Sequence, residues 1–581
     1  MIRQRSPSHN KHPRGSRYDR LDYLRLVFVM LGGVIALRLF IVQVVQHGYY
    51  EALAVDNHEL FEELFPERGS ILVHDRYSQT GNVPIATNKV LYEVHAEPIH
   101  VTDAAVTAAD LSPLLSIDKA DIEAKLTKPN DPDEILKRRV PEEVMTAIKE
   151  KNLPGITFRE EQWRYYSEGP ALAHVTGYFG YSDVDRVGQY GLEGYFNKEL
   201  AGQAGYVSGE KDALGRFLTI GNNLIQRAVD GDDIVLTIDK NIQYSACDKL
   251  GKAVERLEAK KGTLIIMQPS TGAIIAMCNY PTYDPNNYNE VESVDVFSNA
   301  AISDEYEPGS AFKTFTMAAG LDTGKVTPTT TYNDTSEVKV AGMPIKNSDG
   351  AAHGVQTMTA VLEKSYNLGT IFVTQQIGNA ALNDYVKAFG FGDKTGITLA
   401  NERSGDISSL ETLKDVYAYT GSFGHGIMVT PLQLVAGYGA VANHGMLMKP
   451  YIVENRILAS GAEIPTTPTE VRQVISADAA RTLTAMLVSV IDSGTAKPAA
   501  VPGYYLAGKT GTALIVSNGV YSTYKHNDTM IGFGPMSDPQ FVMLIEMNEP
   551  KSQYAEGSVV PVWGEIAKDV LNYMQIPPDR N

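Results

Sequence analysis

Two sets of strand-forming sequence, far apart along the chain, limit what it can fold into. Thr263-Leu-Ile-Ile-Met267 and Ala273-Ile-Ile-Ala-Met-Cys278 flank a Pro-Ser-Thr-Gly turn, which makes them an antiparallel hairpin. Strand patterns return at Tyr504–Thr512, at about 528–534 and at Phe541–Met547, with turns at Ser517-Asn-Gly519 and Ser537-Asp-Pro539. Helical stretches fill 310–500 between them. A helix from Asn241 to about Ala259 precedes the first set, and an amphipathic helix from Val559 to about Met574 closes the chain. Strands at both ends with helices between them imply one antiparallel sheet, flanked by helices and completed by the C-terminus. At 581 residues the chain exceeds one ordinary core, so two or three domains are expected and the class is multidomain α+β.

Upstream of that sheet, residues 1–23 form a basic polar tail. Seven basic side chains within residues 1–25 stand against Asp19 and Asp22, which leaves −23 on the remainder of a chain whose net charge is −18. Residues 24–46 read as the anchor: Leu24–Val45 is almost wholly apolar, interrupted by Arg25, Arg38 and Gln43, and long enough to cross a bilayer as a helix. Positive charge ahead of the run keeps the N-terminus cytoplasmic and exports the chain beyond it. Ala52-Leu53-Ala54 resembles a cleavage site, but the apolar run is too long for a signal-peptide core, so an uncleaved single-pass anchor is expected. Arg38 either snorkels to the outer headgroups or meets a partner membrane helix.

Residues 47–240 carry no catalytic constellation and read as an elongated β-rich pedestal, with a strand-like Arg68–Arg76 and helical, charged stretches around 103–150. Arg68, Asp75, Arg164 and Glu193 read as buried ion pairs rather than a site. Residues 241–581 form the last domain. The acidic body argues against nucleic-acid binding. Cys247 and Cys278 show no metal-ligand spacing, the twelve histidines include no paired-ligand arrangement, and no metal or other cofactor is expected. Whether the two cysteines pair is left open.

Within the last domain, Glu307-Pro-Gly-Ser310-Ala-Phe-Lys313 opens a short apolar helix that runs to Leu321 and stops at Asp322-Thr-Gly324. Ser310 sits in its first turn, with Lys313 one turn later on the same face. A hydroxyl beside an amine that desolvation can neutralise is a nucleophile–base pair, and the N–H groups of a helix start face any oxyanion that forms there. Ser-x-x-Lys alone is weak: it recurs at Ser336-Glu-Val-Lys339, on a strand edge. Two further motifs come next in order. Ser365-Tyr366-Asn367 ends a helical stretch, and Lys509-Thr510-Gly511-Thr512 ends a strand whose glycine leaves room for a peptide backbone along the edge. A second Lys-Thr-Gly, at 394–396, succeeds the Gly-rich Phe389–Asp393 and reads as a turn.

The trio resembles the signature of penicillin-binding proteins and class A β-lactamases. Nearly the whole chain resembles a class B penicillin-binding protein, a monofunctional peptidoglycan transpeptidase, most like the cell-division type. The resemblance extends to Leu37–Gln43, Arg68–Arg76, Tyr190-Gly-Leu-Glu193, Tyr306-Glu-Pro-Gly-Ser310, Ser422-Phe-Gly-His-Gly426 with Thr430-Pro-Leu-Gln433, and Ala507–Ala513. His425 departs from the family pattern, where Tyr or Gln is expected, and reads as a packing residue beside a substrate cleft. The resemblance implies a serine β-lactamase-like sheet and a set of roles. Ser310 attacks the penultimate D-Ala carbonyl of a stem peptide, and Lys313 takes the hydroxyl proton. Ser365 relays a proton with help from Lys509, and Asn367 binds the donor backbone. Lys509, Thr510 and Thr512 beside Gly511 hold the terminal carboxylate, and the N–H groups of Ser310 and Thr512 form the oxyanion hole. It also implies covalent inhibition by β-lactams, and a SEDS-family polymerase and other divisome membrane proteins as partners. An elongation-type transpeptidase and a non-catalytic scaffold for wall synthesis are the alternatives.

Overall fold

The computed structural model describes residues 20–40, 59–129, 131–182, 185–210, 224–517 and 520–580. The chain divides into two units, Met1–Pro66 with Gln203–Val229, and Glu67–Gly202 with Asp230–Asn581. In the first, a helix spans Arg20–Phe40, and Val29, Met30, Val34 and Leu37 on it are all exposed. Its last turn carries Arg38. The apolar run expected to end at Val45 is described only as far as Phe40, and the tail ahead of residue 20 lies outside the described residues. Among the described residues, no helix is long and apolar enough to cross a membrane. The same unit holds a three-stranded antiparallel sheet of Glu59–Leu64, Gly205–Glu210 and Leu224–Gln226.

The second unit contains two large sheets. One gathers Ile71–His74, Asn82–Ala96, Glu134–Val140, Ile156–Tyr166 and Asp233–Asp239 with Val453–Ile457 and Glu463–Pro465 from far along the chain. Helices Ala104–Leu115, Lys119–Leu126 and Glu142–Glu150 close a separate core around Val94, Leu111, Ile122, Leu136 and Ile148. The region expected to be β-rich is therefore mixed. Arg68 and Arg164 converge on Glu193, a fully buried carboxylate that accepts from Arg68 Nε at 2.8 Å, Arg164 Nε at 2.7 Å and the Tyr166 hydroxyl at 3.2 Å. Both guanidiniums hold the Glu193 carboxyl below its usual range against the opposing effect of burial. Asp75 takes no part: it accepts from the Tyr77 backbone N–H and the Asn241 amide.

The other sheet is the one expected from the sequence. Its strands are β1 (Lys261–Met267), β2 (Ile274–Tyr280), β3 (Ala507–Ser517), β4 (Val520–Gly534) and β5 (Phe541–Asn548), in the spatial order β2-β1-β5-β4-β3 and antiparallel throughout. The last strand in sequence thus joins the two distant sets, with Ile545 opposite both Leu264 and Met530. Six helices surround the sheet and the motifs: α1 (Lys240–Arg256), α2 (Lys313–Asp322), α3 (Asn367–Ile377), α4 (Pro431–Ala442), α5 (Ala477–Ser493) and α6 (Val559–Tyr573). Every residue of α4 is buried, as an all-round apolar helix requires. Thr430 starts it with a capping box: its side chain accepts from Gln433 N–H while its own N–H donates to the Gln433 side chain. Cys247 on α1 and Cys278 on β2 are joined as a disulfide.

Two expectations need correction. Strands at 331–357 and 446–473 interrupt the stretch read as helical. They are three to five residues long, and several are mostly exposed, so they show neither a long apolar run nor a clean alternation. β4 also begins at Val520 rather than near 528, which lengthens the hairpin with β3. The turn at its tip, Ser517-Asn-Gly519, lies partly outside the described residues.

Removing the shared carboxylate leaves two buried guanidiniums without a counter-charge. Glu193→Ala should cost about 3–5 kcal/mol of stability, read as a lowered thermal midpoint; an unchanged midpoint would show that the ion pairs carry no such burden.

Candidate active site

Ser310 lies in a 3₁₀ turn, Gly309–Phe312, that leads directly into α2. Two glycines let backbone close around it. A Cβ on Gly511 of β3 would stand 2.8 Å from the Pro308 carbonyl and 3.4 Å from Ala311 N, so a bare Cα lets the serine turn lie on the strand. A Cβ on Gly424, whose φ is +83°, would meet the Gly309 carbonyl at 2.2 Å. The close approach seen at Gly511 is thus that of the serine turn itself. From behind, the Tyr438 hydroxyl on α4 donates to the Ala311 carbonyl at 2.7 Å.

The two motif lysines are fully buried, and they meet at one hydroxyl. Lys313 Nζ donates to the Ser365 carbonyl at 2.5 Å and lies 3.2 Å from Ser365 Oγ, while Lys509 Nζ reaches the same Oγ at 3.1 Å. Ser365 holds this position with φ at +60°, left-handed backbone that a serine adopts only when its surroundings insist. Burial pushes the Lys313 amine well below the usual lysine range, and the positive charge of Lys509 pushes it further. Burial likewise brings Lys509 down to about 7, against a smaller opposing pull from Glu556. The hydroxyl that both amines reach is that of Ser365, and burial leaves the Lys313 amine able to accept a proton.

Asn367 opens α3 and donates its side-chain amide to the Lys346 carbonyl at 2.9 Å. Thr510 Oγ1 lies 2.9 Å from Thr495 Oγ1. Thr512 turns inward: its hydroxyl donates to Asp528 on β4 at 3.1 Å and accepts from Ala555 N–H at 3.3 Å. Asp528, fully buried, also accepts from Ser558 at 2.5 Å. Sequence reading missed Asp528 and Ser558. Asp528 stands opposite Thr512 in the β3–β4 register, a pairing that only the fold reveals. The other motif copies stay apart from the site: Thr395 and Gly396 donate to Glu402 within a turn, and Glu337–Val340 is a small strand.

His425 and Glu307, either side of the serine turn, were not read as a pair. Glu307 Oε1 accepts from Gly426 N–H at 2.8 Å and from the Tyr521 hydroxyl at 3.1 Å. Its Oε2 faces His425 Nδ1 at 3.9 Å. Burial raises the Glu307 carboxyl, partly offset by those two donors. It also lowers the His425 imidazole to about 4, helped by the charge of Lys313. Among the described residues, no cluster of three or more His, Cys, Asp or Glu is placed to hold a metal ion.

Residues 262–572 match the model of the penicillin binding protein transpeptidase domain, and 63–236 that of the penicillin-binding protein dimerisation domain. The chain belongs to the class B penicillin-binding proteins. Stage V sporulation protein D of Bacillus subtilis is 33% identical to this penicillin-binding protein over 569 residues, 96% of this chain and 87% of that one. Peptidoglycan D,D-transpeptidase FtsI of Escherichia coli is 32% identical over 505 residues, 85% and 83% of the two chains. Penicillin Binding Protein 2X from Streptococcus thermophilus shares the fold with a TM-score of 0.74 at 22% identity, over 88% of this chain and 80% of that one. So does penicillin binding protein 3 from Mycobacterium tuberculosis, complexed with aztreonam, with a TM-score of 0.68 at 24% identity over 89% and 98%.

Because Lys509 helps to hold Lys313 neutral, Lys509→Met should raise the pH at which the Lys313 amine titrates in this penicillin-binding protein. Nitrogen-detected NMR of the side-chain amines reads this directly, and an unmoved titration would mean that the two amines do not sense each other.

Proposed function

We propose that this chain is a peptidoglycan D,D-transpeptidase acting through an acyl-enzyme on Ser310. The observation that carries the reading is the convergence of two buried, charge-depleted lysines on Ser365 Oγ, at 3.2 and 3.1 Å. Lys313 as free amine takes the Ser310 proton while Oγ attacks the penultimate D-Ala carbonyl of a stem peptide. The N–H groups of Ser310 and Thr512 hold the oxyanion, where losing one donor typically costs about 2.7–4 kcal/mol of barrier. Ser365, with Lys509 behind it, passes a proton to the departing D-Ala. Asn367 binds the donor backbone, with Thr510 and Lys509 at its carboxylate, and Gly511 lets the serine turn lie against the strand. Thr512 Oγ1 joins them only by leaving Asp528. An amine from a second stem then displaces Ser310 and leaves a crosslink. A β-lactam presents a comparable amide and stays on the serine.

The apolar sequence through Val45 and the basic tail ahead of it support a single-pass anchor with the catalytic domain outside the cytoplasm. The Cys247–Cys278 disulfide fits an oxidising compartment. On this reading 1–23 is the cytoplasmic tail, 24–46 the anchor, 47–240 the pedestal and 241–581 the transpeptidase domain. A SEDS-family polymerase in the membrane and other divisome proteins are the partners this reading expects. Septal synthesis is the favoured setting, supported by the 32% identity to peptidoglycan D,D-transpeptidase FtsI of Escherichia coli.

Intact-mass measurement after a fluorescent penicillin should give one adduct on the wild-type chain and none on Ser310→Ala. An adduct that persists in the alanine variant would move the nucleophile elsewhere. The acylation rate should fall as pH rises through about 7, where Lys509 loses its proton; in Lys509→Arg, which stays charged, that alkaline fall should be absent.

A further inference from the structure

The proposed catalytic roles leave His425 without a task, although its ring stands beside the serine turn. It lies between Phe423 and Tyr521, with ring centroids 5.2 and 5.4 Å away. Nδ1 points to Glu307 Oε2, which is buried and has no hydrogen-bond partner among the described residues. Glu307's other oxygen is already committed to Gly426 and Tyr521. Nε2, on the opposite edge of the ring, is likewise unpartnered among the described residues, and 24% of the side chain stays exposed. The titratable groups facing this ring are Glu307 from the serine loop, Tyr521 from the hairpin and Lys313 from α2. Burial keeps the imidazole neutral at pH 7 with a lone pair on Nε2, a weaker base than a free imidazole until the Glu307 carboxylate engages Nδ1.

Transfer needs such a lone pair. The acceptor is a primary amine, and a lysine-like amine, with a pKa of about 10.4, arrives as an ammonium that cannot attack. We propose that His425 is the acceptor-side base, with Glu307 as the positioning residue that keeps Nδ1–H turned toward Oε2. The ligand class is a peptide bearing a primary ammonium. This rests on the transpeptidase reading of Ser310. His425 Nε2 takes one proton from the ammonium. The freed nitrogen pair forms the new C–N bond to the acyl carbon, the ester C–O bond breaks, and its electron pair returns to Ser310 Oγ. Oγ regains a proton that the attacking nitrogen releases through Lys313. The proton on His425 leaves to solvent from the open edge of the ring. A separation of 3.9 Å is long for a hydrogen bond, and catalytic contacts of this kind commonly tighten only when substrate is bound.

The test uses the full-length protein in detergent. A thioester donor peptide forms the acyl-enzyme, and its partition between an added diamino-acid acceptor and water is followed for wild type, His425→Gln, His425→Ala and Glu307→Gln, with penicillin acylation measured alongside. Both His425 variants should shift partition away from the amine by about tenfold or more, with acylation affected much less. Added imidazole should restore amine transfer in His425→Ala, which no packing role would allow. Glu307→Gln keeps a side chain of the same size and should shift partition in the same direction by a smaller factor. An unchanged partition in both His425 variants, acylation that falls in step with transfer, or failure of imidazole to rescue overturns the proposal. A wild-type chain that never forms a penicilloyl adduct would instead sink the transpeptidase reading itself, so the two failures are distinct.

Discussion

Removing two lysine side chains from water is the act on which the rest of this structure depends. Lys313 and Lys509 are fully buried, and among the described residues neither has an ion-pair partner at hydrogen-bond distance. Desolvation favours the neutral amine at both, and the charge of Lys509 adds to it at Lys313. The penalty appears in stability. Lys509 has a folded pKa of about 7 against an ordinary value of 10.5, so between those limits the unfolded chain binds more protons. Stability conferred at high pH is lost as pH falls through that window, and the loss levels off below about 7, after an upper bound of about 5 kcal/mol. The rest of the fold must supply enough stability to offset that loss.

Much of that support comes from β5 and α4. β5 is buried along nearly its whole length and zips the early hairpin to the late one, so the strand bearing Lys509 is fixed relative to α1, β1 and β2. α4, buried all round, holds the serine turn from the other direction through Tyr438. The serine turn, the Ser365 loop and the lysine strand therefore come from three separated parts of the chain and are locked by contacts that leave little room for drift. Asp528 extends the same logic outward: it anchors Thr512 through a hydroxyl whose other partner, among the described residues, is the Ala555 N–H.

Local features were legible in the sequence because they depend on neighbours close in the chain. The turn after Met267 forced a hairpin, the apolar run from Phe541 forced a buried strand, and Thr430-Pro-Leu-Gln433 is a helix start that capping rules mark. The three motifs were legible as a set for a chemical reason: nucleophile, relay and cationic strand need those residue types. Features that arise only from tertiary pairing were not. Val453–Ile457 becomes a strand because Asp233–Leu236 offers it an edge. The opposition of Asp528 to Thr512 needed a register, and the disulfide needed α1 laid against β2. Glu307 was passed over for a related reason, since three residues before a nucleophile it looks like part of a turn, and its environment is supplied by Gly426 and Tyr521 from elsewhere.

That environment bears on why such a site would hand its acyl group to an amine rather than to water. Hydrolysis of an ester at this position calls for an ionised carboxylate in contact with solvent water. The carboxyl nearest the serine turn is Glu307, but burial raises its pKa, one oxygen is occupied by two donors, and the other is shut off from solvent beside the His425 ring. Glu307 is therefore not placed to activate a water molecule, whereas an incoming amine carries its own nucleophilic pair once it has lost a proton. The same burial that strips charge from the lysines also withholds this carboxylate from water, which favours transfer to an amine over hydrolysis.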